Sequence, residues 1–195
     1  MADLKRDDLW SLEQYSTQRQ QFRRDVMAHK KQRYVVIGEH ARLCFEDETT
    51  IRYQIQEMLR IERIFESTDI QEELDTYNPL IPSGKNLKAT FMLEYDDIDE
   101  RKVMLHNLKG VEKKMWIQVG DHPRIVPISD EDLERENEDK TSSVHFMRFE
   151  FSSADIAALH AGESLNMGID SEFIRPNEVR VEDPTRANLI ADFAA

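Results

Sequence analysis

Two ten-residue stretches, "NLKATFMLEY" at 86–95 and "SSVHFMRFEF" at 142–151, alternate their side chains with a period of two. In a strand successive residues point to opposite faces, so this spacing calls for a sheet with one face in a core. In the first stretch Leu87, Ala89, Phe91, Leu93 and Tyr95 share a side. In the second, His145 falls with Met147, Phe149 and Phe151, while Val144, Phe146, Arg148 and Glu150 take the other side. Both faces of that strand mix polar and apolar groups, so either could line a pocket.

Around these strands the period changes repeatedly. A first helix is expected over Asp8–Gln32, with a break possible near Gln20, carrying Leu12, Tyr15, Phe22 and Val26 on one face. "RYVVIGEHARLCFEDE" is expected as a hairpin around Gly38-Glu39-His40. A second helix is expected over Glu48–Phe65, and a third capped by Thr68 with Gln71, ending before Pro79. Asp97 opens a helix that ends at Gly110; "KKMWIQV" and "RIVPI" are expected to form a hairpin across "GDHP". "SLNMGID" and "EVRV" supply two further strands, Ser152 caps a helix, and Asp183-Pro184 begins a terminal one. Helices and strands therefore mix without the regular strand–helix repeat of a doubly wound sheet. The expected fold is α+β: a single domain over 1–195, mainly an antiparallel sheet packed with several helices. Residues 1–32 form its helical N-terminal part, and 129–140 an acidic linker or helix.

Charge narrows the partners. With 26 Lys and Arg against 39 Asp and Glu, the chain carries a net −13, a field that repels phosphate backbones and argues against nucleic acid and anionic membranes. No run approaches the ~20 apolar residues of a membrane helix, and the start has no signal-peptide core, so a soluble cytoplasmic protein is expected. Cys44 is the single cysteine, which excludes an internal disulfide, a dithiol pair and a cysteine-rich metal cluster. On "ARLCFED" it reads as a small apolar packing group.

The candidate chemistry centres on Glu62. At about 100° per residue, Ile51, Ile55, Met58, Leu59, Ile61 and Phe65 form one apolar face, and Glu62 falls inside it, with Gln54 on the same face. A buried carboxylate must pair, ligate a metal or take up a proton. Arg19 lies within the stripe of the first helix, so Arg19, or else Arg148, is the expected partner of Glu62 in an interior ion pair. The competing reading makes Glu62 part of a nitrogen–oxygen metal site with Glu57, His29 and His145, suited to iron, zinc or manganese, although no HxH, HExxH or ExxH spacing ties these residues together. "HKKQR" at 29–33, with His29, Lys30 and Arg33, is either a solvated helix end or a binding patch for a phosphate or carboxylate ligand. "PSGKN" lacks the spacing of a phosphate-binding loop and reads as a surface turn.

Taken together, "AHKKQR", "FEDETTIRYQIQEMLRIERIF", "YNPLIPSGKNLKATFMLEY", "EDLERENEDKTSSVHFMRFE" and "GID" resemble the bacterial family designated domain of unknown function 3501, over nearly the whole chain. The resemblance brings no defined catalytic residues. It implies an association with a rubrerythrin-like diiron protein and a cysteine-rich iron–sulfur oxidoreductase, and so a role in redox or oxidative-stress metabolism. Its blocks coincide with Glu57 and Glu62, with Tyr77 and Asn78, and with His145. Two functions follow as expectations: an accessory or binding protein that works with iron proteins, or a metal-dependent enzyme or metal-binding protein with a Glu/His site.

Overall fold

The structure, a computed structural model, describes residues 3–131 and 139–194. Its strands form two antiparallel sheets. The larger has the order β1-β2-β3-β6-β5, built from Tyr34–Ile37, Ala41–Phe45, Asn86–Leu93, Val144–Glu150 and Ile128–Ser129 respectively. The smaller, β4-β7-β8, is built from Met115–Val119, Leu165–Ile169 and Glu178–Arg180. Six α-helices are found among the described residues: α1 Leu12–Lys31, α2 Glu48–Glu62, α3 Ser67–Tyr77, α4 Ile98–Asn107, α5 Ser153–His160 and α6 Thr185–Ile190. The fold is α+β, as the mixed periodicity requires.

The alternation of the two long strands is realised in full. Leu87, Ala89 and Phe91 of β3 stand opposite Phe149, Met147 and His145 of β6, and all six are buried. That face and the smaller sheet share one core, which takes in Leu105 of α4, Leu159 of α5 and Leu189 of α6. In the smaller sheet Trp116 lies across Gly168, where a Cβ would stand 2.2 Å from the indole; the large ring needs the missing side chain opposite it. Leu4, Ile51, Ile55, Leu59, Leu74 and Ile81 form a separate cluster, which seats α2 and α3 outside the main core.

Several local expectations are corrected. The first helix runs unbroken from Leu12 to Lys31, capped by Ser11 with Gln14. The third begins at Ser67 after Glu66 with no side-chain cap, and the Thr68 hydroxyl turns to Asp69 instead. "KKMWIQV" and "RIVPI" do not form a hairpin ladder. They share only the bridge Ile117–Ile125; β4 pairs with β7, and Ile128 joins β6 in the other sheet. Strand partners distant in sequence are set by the core, which local turn signals do not report. Of the acidic run, residues 132–138 lie outside the described residues.

Candidate functional site

β3 and β6 turn Lys88, Thr90, Phe146 and Arg148 to the face away from the main core. The end of α3 and the turn Asn78–Leu80 stand over that face, because Pro79 stops the helix and bends the chain across the sheet. Between them lies a groove of about 670 Å³. Tyr77, Pro79, Leu80, Ile128 and Phe146 give it apolar walls; Glu46, Lys88, Glu131 and Arg148 give it an ionic floor. Apolar walls around a few placed polar groups are the usual make-up of a small-ligand site.

The floor is ordered by hydrogen bonds. Arg148 donates to both oxygens of Glu131, at 2.9 Å from Nε and 2.7 Å from Nη2, and its Nη1 donates to Glu150. Those bonds from Arg148 hold the Glu131 carboxyl below its ordinary range. At Glu150 burial opposes the charge, but donation from Asn86 and Arg148 prevails and lowers the pKa. Glu46 accepts from Thr90 at 2.8 Å and from Thr50 at 2.6 Å, so both of its oxygens are held. Lys88 differs. Its Nζ donates to the carbonyl of Pro79, and among the described residues no carboxylate pairs with it. A second hollow, of about 420 Å³, lies between Trp10 and the end of α2; it is walled largely by Leu9, Trp10, Leu59, Ile64, Phe65 and Ile70. Arg6, Asp7 and Ser11 supply its polar lining.

The residues singled out in the sequence fall into separate places. Tyr77 and Arg148 line the groove. Asn78, next to it, is structural: its side chain accepts from Leu4 N and donates to Leu4 O, each at 2.9 Å, pinning the N-terminal segment. Arg19 does meet a carboxylate, but it is Glu57, through Nε at 2.6 Å and Nη2 at 2.8 Å, with the Tyr15 hydroxyl donating at 2.6 Å. The Arg19 bonds, opposed by burial and helped by Tyr15, hold the Glu57 carboxyl at about 2. Burial and the Glu57 charge raise the Tyr15 hydroxyl well above its ordinary range.

Glu62 is exposed, contrary to the expected interior pair. Its angular position is as read, about 20° from Ile55 on the helical wheel. What fails is its position along the axis. Glu62 is the last residue of α2, Arg63 turns left-handed at φ 57°, and Ile61 and Phe65 are 64% and 68% exposed. The packing partner has ended before the stripe does. Moreover, the stripe of α1 meets the Tyr53–Glu57 flank of α2, with Phe22 and Tyr53 rings 5.8 Å apart, and not its Ile51–Ile55–Leu59 line. Gln54 is only half-buried. The fully buried amide is Gln56, which accepts from Trp10 N at 2.7 Å.

In the patch at the end of α1, Arg33 and His29 are engaged by the protein itself. Arg33 is 2% exposed and is saturated by Asp192, Asp47 and the carbonyls of Phe45, Glu46 and Asn188. Within that cluster burial raises the pKa of Asp192, against the pull of Arg33. His29 is bonded to Asp47, and Lys30 is half-buried beside it. His145 is fully buried with both ring nitrogens engaged: Nδ1 with Asp130 at 2.6 Å, Nε2 with Thr141 at 2.9 Å and the Ser142 carbonyl at 3.1 Å. His29, Glu57, Glu62 and His145 therefore do not share a centre. His29, Glu57 and His145 each keep their own partners, Glu62 stands exposed at the end of α2, and no group of three or more metal-ligating side chains occurs among the described residues. Cys44 is buried in β2, and burial, then the charge of Glu46, pushes its thiol up to about 12.

Residues 3–193 match the family described as protein of unknown function DUF3501. The chain belongs to this family. A crystal structure of a novel protein of unknown function from Burkholderia pseudomallei is 47% identical, with a TM-score of 0.92 over 99% of this chain and 100% of that one. No curated protein matches the chain. No helix among the described residues is long and apolar enough to cross a membrane.

Proposed function

We propose that this DUF3501 protein is a cytoplasmic binding protein of redox metabolism, and that the groove over β3 and β6 holds a small, largely apolar ligand. The observation that carries the ligand site is the convergence of Tyr77, Leu80, Ile128 and Phe146 on an ionic floor in which Lys88 has no carboxylate partner among the described residues. The metal-enzyme alternative draws no comparable support, because Glu57, His29 and His145 are committed to separate partners and Glu62 stands exposed.

The redox assignment is supported by the family resemblance, which implies a rubrerythrin-like diiron protein and an iron–sulfur oxidoreductase as partners. A net charge of −13 suits docking against a basic face on such a partner. With its single thiol buried and raised to about 12, the chain offers no ready thiolate for disulfide exchange. The site is tested with 8-anilino-1-naphthalenesulfonate. Saturable fluorescence enhancement that is lost in Phe146→Glu, with the thermal melt retained, supports it; enhancement indifferent to that substitution, or none, overturns it. The partnership is tested by gel filtration of the chain mixed with each purified iron protein at low salt. Co-elution that fades with added salt supports it, and independent elution of both removes it.

A further inference from the structure

Lys88 and Arg148 are direct partners across the β3–β6 ladder, a position where like charges repel. Arg148 is compensated twice, by Glu131 and by Glu150. Half-buried Lys88 has no carboxylate at ion-pair distance among the described residues; its ammonium meets the neutral carbonyl of Pro79 in the groove. Burial, and next the Arg148 charge, lower the Lys88 pKa, and together they prevail over the opposing charges of Glu150, Glu131 and Asp3. At neutral pH more of this amine is unprotonated than of an exposed lysine. A lysine desolvated beside a second cation is the arrangement that makes an amine nucleophilic toward carbonyl carbon.

We infer that Lys88 captures the aldehyde or ketone group of a small apolar ligand as a Schiff base, an inference that rests on the groove being a ligand site. The lone pair of neutral Nζ attacks the carbonyl carbon, the C–N bond forms as the C=O π bond breaks, and one proton passes from the nitrogen to the former carbonyl oxygen to give a neutral carbinolamine. Loss of the hydroxyl with one nitrogen-bound proton expels one water and leaves the imine. No electron is exchanged, so no oxidant or reductant is needed. Tyr77 lines the same groove and offers a hydroxyl for the proton transfers, while Leu80, Ile128 and Phe146 cover the alkyl or aryl body of the ligand.

The intact protein is treated with hexanal and sodium cyanoborohydride across pH 6–9, and the reduced adducts are mapped by mass spectrometry. Near pH 7, Lys88 is expected to label faster than Lys102 and Lys113, since a lowered pKa leaves more of the amine free. The side chains of those two lysines are 70% and 79% exposed, so accessibility alone would favour them. Lys88→Arg removes the fast adduct, and Arg148→Met, which frees Glu131 and Glu150 beside the amine, moves the labelling profile to higher pH. Lys88 labelling no faster than the exposed lysines, or a profile unmoved by Arg148→Met, overturns the inference. If the naphthalenesulfonate probe still binds at Phe146 while Lys88 stays unlabelled, the lysine chemistry alone falls. If neither probe engages the groove, the ligand site falls with it.

Discussion

The Arg19–Glu57 pair fixes α1 against α2, and its contribution follows from the carboxyl's titration. A Glu57 carboxyl held at about 2 instead of the ordinary 4.5 corresponds to at most roughly 3.5 kcal/mol, at ~1.4 kcal/mol per pH unit. The Arg19 and Glu57 side chains are 28% and 15% exposed, so solvent screening reduces the expected value to about 1–2 kcal/mol. Because the folded pKa is depressed, this stability is fully present above pH 4.5 and is lost as pH falls toward 2. The assay is urea unfolding of wild type, Arg19→Met, Glu57→Gln and the double variant at pH 7 and pH 3. The double-mutant cycle is expected to return a coupling of about 1–2 kcal/mol at pH 7. The gap between wild type and Glu57→Gln should narrow at pH 3. A coupling near zero, or a gap independent of pH, refutes the reasoning.

Glu62→Gln should leave the unfolding free energy within about 0.5 kcal/mol of wild type, as befits an exposed side chain; a loss above 1.5 kcal/mol would restore the interior pair. His145→Ala removes a fully buried partner of Asp130 and should cost roughly 3–5 kcal/mol in a thermal or urea melt, with a cost below 1 kcal/mol contradicting the buried pair. Cys44 should resist Ellman's reagent in the folded protein at pH 8 and react on unfolding in urea; rapid native labelling would contradict its burial and its thiol at about 12.

Much of the fold was legible in the sequence. The alternation along 86–95 put Leu87, Ala89 and Phe91 on one side, the side the core takes, and along 144–151 it separated Met147 and Phe149 from Arg148 without deciding which face is buried. The Gly38 hairpin, the Ser152 cap and the stop before Pro79 were equally local and equally readable. Strand pairing was not. That β4 joins β7, and that Lys88 faces Arg148, are consequences of tertiary assembly, so the groove and its lysine stayed hidden although both strands were in view. The wheel of α2 gave the correct angle for Glu62 but no information on where its cover ends. A buried carboxylate does exist elsewhere. Glu112 is 5% exposed, with Oε2 lacking a hydrogen-bond partner among the described residues, on a single turn too short to show any period.

The groove itself is tested most directly by mapping 2-octanone onto the protein with amide NMR shifts, without any reductant. Saturable shifts are expected at Tyr77, Lys88, Phe146 and Arg148, the residues that line it. Shifts confined to the hollow around Trp10, Ile64 and Ile70, or no saturable shift anywhere, would contradict a ligand site over β3 and β6.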